Sequence, residues 1–191
     1  MDSGGANLAS LRFALKRLGA CAEVSADVRK VTRARRVLLP GVGAAAAAMR
    51  RLKALGLAAT LRTLTQPVLG VCLGMQLLFE RSEEGHTQCL GVLPQTVRGL
   101  NAAPGHPVPH MGWNTLRPLK SDPLLEGVTE GDYAYFVHSY GVPVTKDTLA
   151  SAEYGTALAA VVRKMNFWGT QFHPERSADT GAQILLNFLR L

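Results

Sequence analysis

The order of the elements predicts one α/β domain, residues 1–191, built on a mostly parallel sheet with an antiparallel extension. Two observations carry that expectation. In the first half of the chain, apolar runs short enough for strands alternate with stretches of helical spacing. In the second half, prolines punctuate short strands and a hairpin follows. The length of 191 residues, 47% of them hydrophobic, supports a single core, and no internal repeat or long linker divides it.

Leu8, Leu11, Leu15 and Leu18 recur at helical spacing, with Asn7 as N-cap and Gly19 as stop. Ahead of them, Asp2-Ser3-Gly4-Gly5-Ala6-Asn7 has the composition of a turn that leaves a strand and enters a helix. An apolar strand of about five residues is expected before such a turn, yet only Met1 precedes it. A start codon placed too late is the expected explanation, and a natural truncation is the alternative. Val37-Leu38-Leu39 reads as a strand running into Pro40-Gly41-Val42-Gly43, and the alanines from Ala44 to Ala48 open a helix because alanine is the best helix former. A helix is expected over 57–64, a second buried strand over 67–71, and a helix over 73–81. Beyond Leu90 the prolines Pro94, Pro104, Pro107 and Pro109 mark loops. Strands are expected over 133–137 and 149–154, a hairpin from 161–163 and 167–172 turning at 164–166, and an amphipathic helix over 182–190.

Charge and cysteine usage exclude some classes. The net charge is +7, and Arg29, Lys30, Arg33, Arg35 and Arg36 form the densest basic run. No aromatic residues are interleaved with it and no recognition-helix or zinc pattern accompanies it, so it reads as a solvated face rather than a nucleic-acid surface. An anionic substrate or an acidic partner would suit it equally. The apolar-rich uncharged stretch 63–79 is interrupted by Pro67 and Gly70 and falls short of the ~20 residues of a membrane span. Asp2 and a glycine pair stand where an export signal would be basic and then apolar. Cys21, Cys72 and Cys89 lie far apart without metal-ligand spacing. These features lead to the expectation of a cytoplasmic chain with neither metal nor cofactor.

Three segments carry chemistry. Gly70-Val71-Cys72-Leu73-Gly74 stands between a buried strand and a helix, the setting of a nucleophile elbow with Cys in place of Ser. The elbow exposes its nucleophile at the strand's C-terminal end, near a helix N-terminus that favours thiolate. A lone GxCxG also arises by chance, and most single cysteines are small buried hydrophobes. Phe172-His173-Pro174-Glu175 ends another strand; in an extended chain His173 and Glu175 share a side, a base with its orienting carboxylate. A surface histidine beside an acid is the plain alternative. Pro40-Gly41-Val42-Gly43 follows a third strand, where a backbone N–H of Val42 or Gly43 could turn toward an oxyanion, with the amide of Leu73 as the second donor. An ordinary turn or a phosphate cradle remains possible there, although the third glycine and downstream acid of a dinucleotide fingerprint are absent. All three segments fall at C-terminal strand ends, where open α/β sheets place their sites.

Together with Gly70 to Phe79, Pro109-His110-Met111-Gly112-Trp113-Asn114, Tyr135-Phe136-Val137-His138-Ser139-Tyr140 and Gln171-Phe172-His173-Pro174-Glu175, these segments resemble the class I glutamine amidotransferases. The resemblance runs from about Asp2 to the C-terminus. Within the class it is nearest to the glutaminase subunits of imidazole glycerol phosphate synthases, and the PHMGWN segment discriminates them. It implies a flavodoxin-like three-layer sandwich with a Cys72-His173-Glu175 triad, glutamine as substrate and no cofactor. It implies glutamine binding by Gln76, Ser139 and Tyr140, and an oxyanion loop that can rest turned away. His110, Met111, Trp113, Asn114 and Tyr135 would face a cyclase subunit, a (β/α)₈ barrel, in a heterodimer. Ammonia would pass to that cyclase, which would make imidazole glycerol phosphate and aminoimidazole carboxamide ribotide in histidine biosynthesis. The other readings are a glutaminase subunit of another amidotransferase, a stand-alone amidase, or a catalytically silent interaction subunit. His86 and His106 are expected at the surface, His110 and His138 in structural or interface roles, and Cys21 and Cys89 as inert thiols.

Overall fold

The computed structural model describes residues 6–191, with side chains from residue 8 onward. Of the turn expected at 2–7, residues 2–5 lie outside the described residues, while Ala6 and Asn7 already belong to a helix. The helices are α1 (Ala6–Arg17), α2 (Val28–Arg33), α3 (Ala45–Ala54), α4 (Leu57–Arg62), α5 (Leu73–Gln76) and α6 (Ala178–Arg190). The strands are β1 (Val37–Gly41), β2 (Val68–Cys72), β3 (Phe79–Ser82), β4 (Thr87–Gln88), β5 (Leu93–Gly99), β6 (His110–Thr115), β7 (Arg117–Pro118), β8 (Tyr133–His138), β9 (Tyr140–Gly141), β10 (Thr148–Glu153), β11 (Ala157–Lys164) and β12 (Phe167–Thr170).

The main sheet has the order β1-β2-β12-β11-β10-β7. β1, β2 and β12 run parallel, and β11, β10 and β7 extend them antiparallel. The antiparallel extension is thus as wide as the parallel part. Hairpin connections need only a two-residue turn, here Met165–Asn166, where a parallel crossover needs a helix. Helices α1 and α6 cover one face, packing Leu11, Leu15, Ile184, Leu185 and Phe188 with Leu69, Val71 and Trp168. Helices α3 and α4 cover the other, packing Met49, Leu52, Leu57 and Leu61 with Val37, Leu39, Val68 and Phe167. Alternate residues of each strand feed opposite layers, which gives the three-layer sandwich its two cores. A smaller sheet, β4-β3-β5-β9, and the β6–β8 ribbon complete the chain.

Local chemistry explains the helix ends. Gly19, at φ 79°, ends α1; its N–H bonds Lys16 and that of Ala20 bonds Leu15, the Schellman pattern that glycine permits. Asn7 lies inside the first turn of α1 rather than at its N-cap. Asp27 caps α2 through the N–H groups of Arg29 and Lys30, and the basic run stays largely in solvent.

The helix expected over 73–81 is corrected to one turn, α5, followed by strand β3. Leu77, Leu78 and Phe79 are consecutive and all fully buried, which one face of a surface helix cannot arrange. The Leu78 carbonyl accepts from Val92 and Leu93, and β3 pairs with both β4 and β5. Those long-range backbone bonds override the helical propensity of the segment.

Candidate active site

Cys72 ends β2 and caps α5 with φ 53° and ψ −112°. An L-residue rarely adopts such angles, and they persist only where the surroundings impose them. Three glycines let the neighbouring backbones close on the turn. A Cβ at Gly74 would stand 1.7 Å from the Leu39 carbonyl oxygen, one at Gly70 2.6 Å from the Gly74 oxygen, and one at Gly41 2.8 Å from the Gly74 nitrogen. The Cys72 side chain is buried, with Sγ 3.8 Å from the Val137 carbonyl oxygen.

His173 and Glu175 reach the same place from the end of β12. His173 Nδ1 lies 2.9 Å from Glu175 Oε1, and both side chains are buried. The ring also hydrogen-bonds Cys72. With Nδ1 committed to Glu175, Nε2 is the nitrogen left for the sulfur. Burial alone would pull the His173 pKa down, but the hydrogen bonds to Cys72 and Glu175, and the charges they carry, push it up to about 10. The charged ring, the form it takes when it holds the cysteine's proton, is therefore favoured beside the Cys72 sulfur.

The extended His-Pro-Glu arrangement expected from sequence is corrected. His173 is extended, but Pro174–Arg176 forms one 3₁₀ turn. Proline suits the first position of such a turn because its fixed φ is helical and it has no N–H to satisfy. The turn folds the Glu175 carboxylate back under the ring. Ser177 clamps it: its hydroxyl donates to the His173 carbonyl and accepts from the Tyr135 N–H. α6 approaches so closely that a Cβ at Gly181 would sit 1.9 Å from the Pro174 oxygen.

The remaining expected site residues fall into two groups. Leu73 opens α5, so its N–H is one that a helix leaves without an internal partner. Val42 and Gly43 follow β1; Gly43 has φ 84° with open space around its Cα, the freedom a reorienting peptide needs. Gln76 is buried, donating from Nε2 to the Tyr140 carbonyl at 2.8 Å and to Gln171 Oε1 at 3.1 Å. Ser139 links β8 to β9, its carbonyl accepting from Leu100.

The second group lies on the β6–β8 ribbon. Met111 and Trp113 are 62% and 53% exposed, and Trp113 meets Tyr135 edge-to-face. Trp113, Glu175 and Arg176 also border a cavity of about 410 Å³. His110, expected on this outer face, is corrected: it is 3% exposed and points inward, because strand side chains alternate and Met111 takes the outer position. Asn114 is half-buried on the same strand. His86 is exposed, whereas His106 is half-buried edge-on against Tyr154. Burial pushes the Cys89 thiol up to about 11, which keeps it unreactive.

A match to the family "Glutamine amidotransferase class-I" spans residues 1–191. The chain belongs to the class I glutamine amidotransferases. It is 56% identical over 191 residues to "Imidazole glycerol phosphate synthase subunit HisH" of Xanthomonas oryzae pv. oryzae (strain MAFF 311018), covering all of this chain and 96% of that one. It is 54% identical, with the same coverage, to the protein of that name in Xylella fastidiosa (strain Temecula1). Among solved structures, a glutamine amidotransferase superposes with TM-score 0.75 at 20% identity, over 97% of this chain and 93% of that chain. A glutamine amidotransferase from Thermotoga maritima superposes with TM-score 0.62 at 16% identity, over 92% of this chain and 83% of that one.

Three residues of this amidotransferase escape sequence reasoning. Gln171 aims Nε2 at Cys72 Sγ from 3.9 Å. Ser177 clamps the His173 turn. The Arg176 guanidinium lies over the Tyr135 ring at 4.7 Å, tying the His-Pro-Glu turn to the ribbon. Gln171 opens the Gln171–Glu175 segment and Arg176 follows it, but nothing in that segment assigns either side chain a contact.

Proposed function

We propose that this chain is the glutamine-hydrolysing subunit of an imidazole glycerol phosphate synthase. The observation that carries the reading is the strained Cys72 beside an imidazole that Glu175 holds at 2.9 Å. The names of relatives at 54–56% identity support the particular synthase.

Cys72 Sγ attacks the glutamine carboxamide carbon after its proton passes to His173 Nε2. The tetrahedral oxyanion is held by the N–H of Leu73 and by one from the Val42–Gly43 loop, each such donor being worth about 10²–10³ in turnover. His173 returns the proton to the departing nitrogen, ammonia leaves, and a glutamyl thioester remains on Cys72. Water, deprotonated by His173, then releases glutamate and restores the thiol. Glu175 keeps the Nδ1 proton in place and stabilises the imidazolium throughout. Gln76, Ser139 and Tyr140 bind glutamine.

The ammonia passes to a cyclase subunit with a (β/α)₈ barrel in a heterodimer, yielding imidazole glycerol phosphate and aminoimidazole carboxamide ribotide. Met111, Trp113 and Tyr135 form the docking surface. The described helices include none long and apolar enough to cross a membrane, and the three cysteines are free thiols, which suits a reducing cytoplasm.

Glutamate release from the purified chain, with and without the cyclase and its ligand, tests this. Little release alone and strong release in the complex is expected, abolished by Cys72→Ala. Full activity from the isolated chain would point to a stand-alone amidase instead. Complex activity untouched by Cys72→Ala would leave only a silent interaction subunit.

A further inference from the structure

The ribbon's inward face carries a chain of polar groups that the proposed reaction does not use directly. Asn114 Nδ2 lies 3.3 Å from His110 Nε2, His110 Nδ1 lies 3.0 Å from His138 Nε2, and His138 Nδ1 lies 2.8 Å from the Tyr140 carbonyl oxygen. The same carbonyl accepts from Gln76 Nε2, Gln76 donates to Gln171, and Gln171 Nε2 points at Cys72 Sγ.

The direction of each proton in the histidine pair follows from its ends. A carbonyl only accepts, so His138 must carry its proton on Nδ1. A neutral imidazole has one N–H, so His138 Nε2 accepts and His110 Nδ1 donates. His110 Nε2 must then accept from Asn114. Backbone groups fix that amide independently: Asn114 Oδ1 accepts from the Thr115 N–H at 2.8 Å, and Nδ2 also donates to the Glu153 carbonyl at 2.8 Å. Both ends agree on one arrangement, with two neutral rings in the Nδ1–H form. The His110 ring is stacked between Phe136 and Tyr154, at centroid separations of 4.8 and 3.8 Å, which fixes its plane. Burial, then the nearby His106, lowers the His110 pKa to about 4. Burial lowers that of His138 to about 4 as well, helped by His110 and His173 against the hydrogen bond to Tyr140.

The Tyr140 carbonyl is thus the meeting point of two donors. A carbonyl only accepts, so Gln76 turns Nε2 toward it, and the His138 bond fixes where that acceptor stands. Both Gln76 N–H groups are then spent, on Tyr140 and Gln171, and its Oε1 is left to accept. Gln171 in turn must offer Oε1 to Gln76 and an N–H to the sulfur. The outer face of the same strand carries Met111 and Trp113, so one six-residue strand bears the exposed apolar pair on one side and the relay on the other.

We propose that His110 and His138 are positioning residues for the glutamine site: a one-directional hydrogen-bond relay from Asn114 ends on the Tyr140 carbonyl and fixes the acceptor against which the Gln76 amide, and through it Gln171, is set beside Cys72. This deepens the glutaminase reading and rests on it for its kinetic test.

Long-range ¹H–¹⁵N correlation of the imidazoles in the full chain at pH 7 reads the relay without any turnover. Both His110 and His138 are expected as neutral Nδ1–H tautomers. A charged ring, or an Nε2–H tautomer at His138, would overturn the proposal. The kinetic arm compares His138→Asn, which keeps a donor near the Nδ1 position, with His138→Leu, which removes it, in the complex with the cyclase. His138→Leu is expected to raise KM for glutamine about tenfold, because it leaves the buried His110 Nδ1–H without its acceptor and removes one of the two donors that hold the Tyr140 carbonyl. His138→Asn is expected to stay within about threefold of wild type. Equal KM for the two variants would overturn the relay. Should His138→Leu not fold, or should the wild-type complex release no glutamate, the tautomers alone decide the matter.

Discussion

The nucleophile elbow and the β6–β8 ribbon both border Cys72, yet they are made rigid in opposite ways. The elbow is held by backbone sterics among neighbours in sequence and across one parallel strand pair: Gly70, Gly74 and Gly41 admit carbonyls and amides where a Cβ cannot fit. The ribbon has only two strands and leaves Met111, Trp113 and Tyr133 exposed. Its order comes from polar contacts far apart in sequence, from Asn114 through His110 and His138, and from Arg176 over Tyr135. The proposed chemistry thus sits on the part fixed by close backbone packing, and the proposed docking surface on the part ordered by hydrogen bonds.

The largest expected effect falls on the elbow. Gly74→Ala drives a Cβ to 1.7 Å from the Leu39 carbonyl oxygen, a backbone atom that cannot step aside. A loss of about 3 kcal/mol or more is expected from such overpacking, measured by denaturant unfolding. A stability within about 0.5 kcal/mol of wild type, the range of harmless surface changes, would show that the elbow is not held as described.

Glu175→Gln probes the other support of the nucleophile. It keeps the shape of the side chain but removes the charge beside His173 Nδ1, 2.9 Å away. Glutaminase kcat in the complex is expected to fall about 10²–10⁴-fold while KM changes little, the pattern of a lost transition-state interaction. An equal rise in KM would assign Glu175 to glutamine binding instead.

Trp113→Ala sharpens the ribbon's side of the contrast. A half-exposed aromatic beside Tyr135 is the profile of a docking anchor, worth about 2 kcal/mol, or some thirtyfold in Kd for the cyclase. The fold of the isolated chain is expected to be unaffected. Unfolding of the variant in isolation would mean that the tryptophan serves the ribbon itself.

The last effect is a slope, read in the pH dependence of stability. His110 and His138 stay neutral in the fold down to about pH 4, whereas unfolded histidines take up protons near 6.5. The unfolded chain thus binds more protons between these values, and stability falls as the pH drops from 6.5 toward 4. His173 acts with the opposite sign: its pKa of about 10 adds stability that is complete below pH 6.5 and lost as the pH rises through 10. His138→Asn should therefore flatten the acid limb by up to about 1.4 kcal/mol per pH unit and leave the alkaline limb unchanged. An acid limb with the wild-type slope would contradict the neutral buried pair.

This contrast also explains what is legible in the sequence. The elbow, the glycine loop and the His-Pro-Glu turn are local patterns, and strand ends bring them together, so Cys72, His173 and Glu175 can be named from sequence. The helix expected over 73–81 does not form because β4 and β5, outside any local window, capture Phe79–Ser82. His110 is expected outside but lies inside, because a motif does not say which face of a strand each residue takes. Gln171 stands in a motif, but its contacts are not legible there, since they are to Gln76 and Cys72, each about a hundred positions earlier. Residues whose role lies in backbone geometry show in the sequence, and residues whose role lies in distant polar partners do not.

The central claim is that Cys72 is the nucleophile for glutamine. Mass spectrometry of the complex after exposure to a diazoketone analogue of glutamine tests it most directly. One adduct is expected, on the peptide containing Cys72, appearing in step with loss of glutaminase activity and absent in Cys72→Ala. Inactivation with the label on Cys21 or Cys89, or with none on any cysteine, would contradict it.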